Sequence, residues 1–180
     1  MNNRTELAKY FNKLGFKRGA EIGVADGRYS LILCENIPDL ELICVDPYRQ
    51  YGENIHDGSQ KQLDKCLRTA KERLKEYDVN FLKDMSLVVA EDTTDECLDF
   101  VYIDANHLFD YVMQDIICWT RKVKKGGIVS GHDYWDIANF GVVDAVNIYT
   151  KVHGYKLNII EGVKSNKRSE RSPNWWFVKT

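Results

Sequence analysis

Short apolar segments of strand length alternate with amphipathic helical segments along almost the whole chain. The predicted strands cover about 20–22, 40–46, 79–82, 98–104, 126–133, 155–161 and 175–178. The predicted helices cover about 7–14, 28–36, 59–77, 86–91, 108–121 and 142–153. Strands that alternate with helices favour a doubly wound, mostly parallel α/β sheet with helices on both faces. The last two strands have no helix between them, which predicts an antiparallel C-terminal hairpin at the edge of the sheet.

Length and composition place the chain among ordinary globular proteins. With 180 residues it can bury a full core, and we expect one domain over 1–180, with an N-terminal helix in 1–15 and the core fold in 19–180. Hydrophobic residues make up 44% and charged residues 29% of the sequence, as in soluble proteins. The net charge of -2 creates no field that would attract nucleic acid or an anionic membrane, so neither partner is expected.

The lack of a recognisable targeting signal and the spacing of the cysteines both predict a cytoplasmic protein. The first residues contain no apolar segment typical of a secretory signal, and no apolar run in the chain reaches the length of a bilayer. The five cysteines form no Cys-x-x-Cys pair and fall mostly inside apolar strand or helix patterns. This distribution is typical of reduced thiols.

Two neighbouring predicted strands end in residues that are able to do chemistry. The fourth strand ends at Asp104, with His107 close behind, and the fifth ends at His132 and Asp133. Ligands of open parallel sheets bind just beyond the carboxyl ends of the strands. Two carboxylates and a histidine at this edge indicate a divalent cation and a general base. The alternatives are that His107 is a solvent-exposed residue at a helix start and that Asp133 is a plain turn acid.

A glycine turn joins the first predicted strand to its helix, in the pattern Glu21-x-Gly23-x-x-x-Gly27. Glycines permit a sharp turn and the close approach of a ligand, and the free N–H groups of the next helix can bind a ligand carboxylate. Ala25 stands where a dinucleotide fingerprint has its second glycine, which disfavours a nicotinamide dehydrogenase. Asp46, at the end of the second strand, can accept hydrogen bonds from ribose hydroxyls, or it is simply a strand-end acid.

The loop after the third predicted strand, Asp84-Met85-Ser86, lies on the same edge of the sheet. Asp84 could accept a hydrogen bond from an adenine amino group, and Met85 could pack on the adenine ring. Alternatively, Asp84 and Ser86 only cap the short helix that follows.

These motifs, taken in order, resemble those of class I S-adenosylmethionine-dependent methyltransferases. The chain is more closely similar to the small bacterial macrocin-type O-methyltransferases, which carry Ile-Asp-x-x-His, then Lys-x-Gly-Gly, then Gly-His-Asp-Tyr. The corresponding segments here are Ile103 to His107, Lys125-Gly-Gly and Gly131 to Tyr134. The resemblance implies a seven-stranded sheet in the order 3-2-1-4-5-7-6.

The resemblance also implies an activity and a set of site residues. It implies transfer of a methyl group from S-adenosyl-L-methionine to a hydroxyl of a small sugar-like or natural-product acceptor, assisted by Mg²⁺ or another divalent cation. Asp104 and Asp133 would bind the metal, and His107 would take the substrate proton. The residues expected to hold the cofactor are Glu21, Gly23, Gly27, Asp46, Asp84, Met85, Ser86 and Asp104.

Several alternatives stay open at this point. The third protein ligand of the metal could be His132, Asp136 or Asn139. The basic loop from Lys164 to Arg171 is expected to be a solvated hairpin tip, although it could contact an anionic acceptor. The rival functions are a methyltransferase with an RNA or protein acceptor and a catalytically silent nucleoside-binding module. A homodimer is the default expectation for a small enzyme with exposed aromatic residues.

Overall fold

The computed structural model describes residues 1–51, 58–136, 140–162 and 172–180. Asn139 and the basic loop from Lys164 to Arg171 therefore lie outside the described residues. The strands are β1 (Arg18–Ile22), β2 (Glu41–Val45), β3 (Val79–Leu82), β4 (Leu98–Ile103), β5 (Val123–Gly131), β6 (Asn158–Ile160) and β7 (Asn174–Val178). The helices are α1 (Arg4–Lys13), α2 (Arg28–Asn36), α3 (Gln60–Arg73), α4 (Ser86–Asp92), α5 (Phe109–Lys122) and α6 (Val142–His153).

The strands form a seven-stranded sheet in the order β3-β2-β1-β4-β5-β7-β6. Strands β1 to β5 are parallel, and β7 is antiparallel to both of its neighbours, β5 and β6. The predicted strand order and C-terminal hairpin are therefore confirmed. The chain winds outward from β1 to β3 and then returns to β4, so the order reverses between β1 and β4. Ligands of doubly wound sheets bind at the carboxyl ends of the strands beside such a reversal.

The sheet is covered by helices on both faces, and its central strand β4 contributes to both cores. Val101 and Ile103 pack in a core with side chains of α4, α5 and α6. Phe100 and Tyr102 pack in a second core with side chains of α1, α2 and α3. Successive side chains of a strand point to opposite faces, so the continuous apolar sequence of β4 is the pattern that a doubly covered strand requires.

The bounds of several elements differ from the sequence-based expectation, most clearly in α3, β5 and β6. Helix α3 ends at Arg73, and β6 is limited to Asn158–Ile160. Strand β5 begins before the glycine pair, because Val123 pairs with Leu98 ahead of a shift in the register of β4 and β5. The same strand ends at Gly131, because Asp133 has a left-handed backbone, with φ of +51°, that cannot continue a strand.

None of the helices in the described ranges combines the length and the apolar character that crossing a membrane would require. The five cysteines are all free, as the sequence predicts.

Candidate active site

A cavity of about 480 Å³ opens at the carboxyl ends of β1, β2 and β4. This volume lies in the range of small-molecule binding sites. Of the residues predicted to hold a cofactor, five line the cavity: Gly23, Asp46, Met85, Ser86 and Asp104. Glu21, Gly27 and Asp84 are not among the described residues that line it. The fold therefore brings most, but not all, of the predicted nucleoside site together.

The glycine turn is shaped by close contacts inside the protein. Gly23 has φ of +86°, and a Cβ atom there would overlap the backbone carbonyl of Asp104. Gly27 has φ of +74° at the N-cap of α2, where a Cβ atom would lie 3.1 Å from the Cβ of Ala70 in α3. Gly23 thus allows β1 and β4 to approach each other at the cavity, and Gly27 allows α3 to pack on the turn.

Asp46 connects the end of β2 to the glycine turn. Its Oδ2 accepts hydrogen bonds from the backbone N–H groups of Val24 and Ala25, both at 3.0 Å, and its Oδ1 accepts one from Tyr48 at 2.8 Å. Burial raises the pKa of Asp46 above its ordinary value, although these three hydrogen bonds oppose the shift. Because Asp46 also lines the cavity, it can order the turn and contact a ligand at the same time.

Glu21 is buried next to the cavity-lining residues Ile22 and Gly23, and it accepts a hydrogen bond from the hydroxyl of Ser30 in α2. Burial raises the pKa of Glu21 to about 8, although the hydrogen bond from Ser30 opposes the shift. A carboxyl group with this pKa is largely protonated at neutral pH.

The loop after β3 contributes Met85 and Ser86 to the cavity. Asp84 instead accepts a hydrogen bond from the backbone N–H of Met85, at 2.7 Å. The N-cap of α4 is Met85, whose own side chain makes no capping hydrogen bond, so neither Asp84 nor Ser86 occupies the N-cap position. Ser86 is the first helical residue, and its hydroxyl donates to Asp115 of α5. Asp115 lines the cavity as well, and the sequence analysis missed it.

The predicted reacting residues converge at the ends of β4 and β5. His107 Nε2 lies 3.0 Å from Asp133 Oδ2 and 3.8 Å from Asp104 Oδ1. His132 Nδ1 lies 3.5 Å from Asp104 Oδ1 and 3.3 Å from Asp133 Oδ1. Since Asp104 also lines the cavity, the four side chains, here called the acid–histidine cluster, adjoin the space in which a ligand would lie. Asp136, a candidate ligand in the sequence, is exposed.

Charge within the acid–histidine cluster shifts the pKa of every member. Burial opposes ionisation of Asp104 and Asp133, but the neighbouring histidines outweigh it and hold both carboxyl pKa values well below their ordinary range. Burial would also lower the histidine pKa values, but the two carboxylates raise that of His107 to about 9 and that of His132 to about 10. The cluster therefore contains two anions and two cations at neutral pH when nothing is bound to it.

The cluster has the donor atoms that a divalent cation needs. One ligand atom from each of Asp104, His107 and Asp133 can be chosen so that all three lie within 4.8 Å of one another. His107 Nε2 is buried and makes no well-directed hydrogen bond, despite its short distance to Asp133. Carboxylate oxygens suit Mg²⁺, whereas imidazole nitrogens suit transition metals better. These residues therefore fit a divalent cation.

His107 is held by one contact to its ring and by one hydrogen bond to its backbone. It stacks on Phe140, with ring centroids 4.6 Å apart and planes 6° from parallel. The backbone carbonyl of His107 accepts a hydrogen bond from Gly141 N–H at 2.8 Å. Asp133 has a left-handed backbone, which is uncommon for a residue other than glycine and is found disproportionately at functional sites.

Arg4 is a second residue that the sequence analysis missed. This buried arginine of α1 places its guanidinium 4.0 Å from Asp104 Oδ2 and 5.0 Å from the centre of the Tyr29 ring. A signal for it exists in the sequence, because Arg4 lies on the same helical face as the buried Leu7 and Phe11. A charged side chain on an apolar helical face needs a buried partner, and Asp104 is that partner.

Comparisons with known proteins identify the family and the fold of this chain. A model of a methyltransferase domain family matches residues 20–134. No curated protein matches the chain in sequence. An O-methyltransferase from Bacillus cereus in complex with SAH superimposes with a TM-score of 0.71 at 14% identity, over 98% of this chain and 80% of that one. TomG, an O-methyltransferase from Streptomyces achromogenes involved in tomaymycin synthesis and solved with SAM, gives a TM-score of 0.66 at 16% identity, over 98% of this chain and 80% of that one.

The N-methyltransferase NodS from Bradyrhizobium japonicum gives a TM-score of 0.64 at 14% identity, over 98% of this chain and 94% of that one. Identities this low establish a shared fold and leave the acceptor open. The matching family model spans well over half of the chain, from β1 past Asp133. This chain therefore belongs to the methyltransferase domain family, and it is a class I S-adenosylmethionine-dependent methyltransferase.

Proposed function

We propose that this protein is an O-methyltransferase that methylates a hydroxyl of a small sugar-like or natural-product acceptor, with a divalent cation and His107 as the base. The observation that carries this proposal is that Asp104 belongs both to the cavity and to the acid–histidine cluster. A histidine and two carboxylates thus adjoin the space proposed for the cofactor. That arrangement suits a nucleophile that must lose a proton, as a hydroxyl must.

The cavity supports the proposed cofactor position. Gly23, Asp46, Met85, Ser86 and Asp104 would contact S-adenosylmethionine, with Asp46 toward the ribose and Met85 toward the adenine. Glu21 and Gly27 would act from just outside the cavity, by shaping the turn that holds the methionine part. Asp84 stays a prediction, because its carboxylate contacts the adjacent backbone instead of the cavity. When bound, the cofactor supplies a methyl group on a good leaving group.

Asp104 and Asp133 would hold the divalent cation, and His132, one of the predicted third ligands, lies 3.5 Å from Asp104 and 3.3 Å from Asp133. The preference of carboxylate oxygens supports Mg²⁺ as the cation. A bound cation would supply a Lewis acid for the acceptor hydroxyl and would offset the carboxylate charge that keeps His107 protonated.

His107 is proposed to accept the acceptor's hydroxyl proton on its imidazole ring. Its ring is fixed by stacking on Phe140, and Nε2 lies on the side of Asp104 and Asp133. The charge of Arg4 beside Asp104 Oδ2 would keep that carboxylate ionised and oriented. These residues hold the base in place, and therefore the proton transfer needs no large rearrangement of the site.

A direct test is methyl transfer from radiolabelled S-adenosylmethionine to three separate acceptor pools: sugar and natural-product hydroxyl compounds, RNA, and unfolded protein. Each assay is run with Mg²⁺ and with chelator. We expect label only in the hydroxyl pool and a loss of at least tenfold with chelator. Label in RNA or protein instead would overturn the acceptor assignment, and equal rates with chelator would overturn the role of the metal. Cofactor binding without product in any pool would indicate a silent nucleoside-binding module.

A further inference from the structure

A buried carboxyl group in the cavity takes no part in the proposed reaction. Asp115 of α5 lines the cavity beside Met85 and Ser86, and only 5% of its surface is exposed. Its Oδ1 accepts a hydrogen bond from Ser86 Oγ at 2.5 Å. Within the described residues, no hydrogen bond or ion pair reaches its other oxygen, Oδ2. Oδ2 therefore remains open to the cavity, where a donor on a ligand can reach it.

The hydrogen bonds around Asp115 have a fixed direction. Trp119 Nε1 donates to Ser86 Oγ at 2.8 Å, and an indole N–H can only donate. Since Ser86 Oγ accepts from Trp119, its own hydrogen is free to point at Asp115 Oδ1. The chain of donors therefore runs from Trp119 through Ser86 to Asp115. It occupies Oδ1 and leaves Oδ2 as an acceptor at the cavity.

The surroundings of Asp115 suit the edge of a flat, partly apolar ring. Met85, Leu87 and Tyr111 line the same part of the cavity with apolar or aromatic surface. Burial raises the pKa of Asp115 to about 7, although the hydrogen bond from Ser86 opposes the shift. An acceptor of this kind matches a neutral N–H group of a ligand.

We propose that Asp115 selects the 6-amino group of the cofactor's adenine, with Oδ2 accepting a hydrogen bond from that amino group. This inference rests on the proposed position of S-adenosylmethionine in the cavity. It gives the task of recognising the amino group to an acid on α5, instead of to Asp84 in the loop after β3. A base with an oxygen at position 6 would bring two acceptors together and would be rejected.

Because the hydrogen bonds run from Trp119 through Ser86 to Asp115, the substitution Asp115→Asn should change which base the cavity prefers. We expect the asparagine carbonyl oxygen to take the Ser86 hydrogen, which would otherwise lose its acceptor, so the amide NH₂ replaces Oδ2 at the cavity. A donor then faces the base, and it would repel the amino group of adenine but bond to the 6-oxygen of hypoxanthine. The variant should therefore invert the preference between the two bases and not merely weaken binding.

The experiment is isothermal titration of the full chain at pH 8.5 with S-adenosylhomocysteine and with S-inosylhomocysteine, which differ only at position 6 of the base. The wild type should bind the adenosyl compound about tenfold to a hundredfold more tightly. Asp115→Asn should bind the inosyl compound at least as tightly as the adenosyl one. Asp110→Asn, the same change at an exposed position of α5, should keep the wild-type preference. Thermal unfolding of each variant checks that the fold is retained.

Three results would overturn the inference. A wild type that binds both compounds equally would show that no residue distinguishes an amino group from an oxygen at position 6 of the base. Loss of the preference in Asp84→Asn, with the preference kept in Asp115→Asn, would transfer the role to Asp84. In both cases binding of S-adenosylhomocysteine would persist and the proposed function would stand. A folded wild type that binds neither compound would overturn the proposed function together with this inference.

Discussion

Two aspartates line the same cavity, and their pKa values move in opposite directions. Burial acts on Asp104 and on Asp115 in the same sense, because it disfavours the ionised form of both. Asp104 lies within 4 Å of His107 and His132, whose charges outweigh burial and hold its pKa below the ordinary range. Among the described residues, Asp115 has only the Ser86 hydroxyl as a hydrogen-bond partner, and burial raises its pKa to about 7.

The difference between the two aspartates lies in their partners, since both face the same cavity. Charged partners suit the end near Asp104 to the proposed proton transfer and cation binding. A neutral hydroxyl partner suits the end near Asp115 to the proposed recognition of a neutral hydrogen-bonding edge. The cavity thus separates the proposed chemistry from the proposed recognition of the base, and each of the following changes tests that separation.

The largest effect is expected from His107→Ala at the charged end. Loss of the base should lower turnover by about 10²–10⁴-fold, while the affinity for S-adenosylhomocysteine changes less than about twofold. Steady-state rates and calorimetry measure the two quantities. His153→Ala, at the exposed C-terminal end of α6, serves as the matched control and should retain activity. If His107→Ala instead removed binding of Mg²⁺, His107 would be a ligand of the metal and not the base.

A smaller but clear difference is expected between Asp104→Asn and Asp115→Asn in stability. At pH 7.5 with chelator, Asp104→Asn should cost about 3 kcal/mol, because it leaves the buried charges of His132, His107 and Arg4 short of one anion. Asp115→Asn should cost less than about 1 kcal/mol, because no charged partner is lost. Urea unfolding of both variants measures the difference, and equal costs would remove the distinction between the two ends.

The smallest effect is a pH dependence due to Asp115. Its pKa is raised in the folded protein to about 7, so the stability that it contributes is fully present below the unfolded pKa of about 3.9 and is lost as the pH rises through 7. Between pH 5 and pH 7 the wild type should lose on the order of 2 kcal/mol relative to Asp115→Asn. Parallel urea titrations at several pH values measure this, and curves that stay parallel would contradict the raised pKa.

The sequence predicted the sheet well because each strand carries its own local signal. Apolar segments such as 98–104 end abruptly in polar residues, and the helices between them repeat their apolar positions at helical spacing. The acid–histidine cluster was also predicted, because the carboxyl ends of neighbouring parallel strands meet at one edge of the sheet. Asp104, His107 and Asp133 lie close together once β4 and β5 are neighbours in the sheet.

The missed residues depend on packing between helices. Arg4 reaches Asp104 because α1 packs over the sheet beside α2. The helical spacing of the apolar residues in 4–13 does not by itself specify that contact. In the sequence of α5, nothing distinguishes Asp115 from an acidic residue on the protein surface. Asp115 lines the cavity only because α5 packs against α4, where Ser86 lies. Likewise, Gly23 was assigned to ligand approach, whereas its position next to the Asp104 carbonyl also requires a glycine.

The sequence by itself determined the fold class and the strand-end acids and histidines, since those follow from local periodicity and from residues at strand ends. It indicated the methyltransferase family through the resemblance of its motifs. Only the tertiary structure decided which polar groups share one cavity and what each has for a partner. The physical reason is that a carboxyl group's charge state depends on the side chains within a few ångströms of it. For Asp104 and Asp115, those side chains come from elements distant in the sequence.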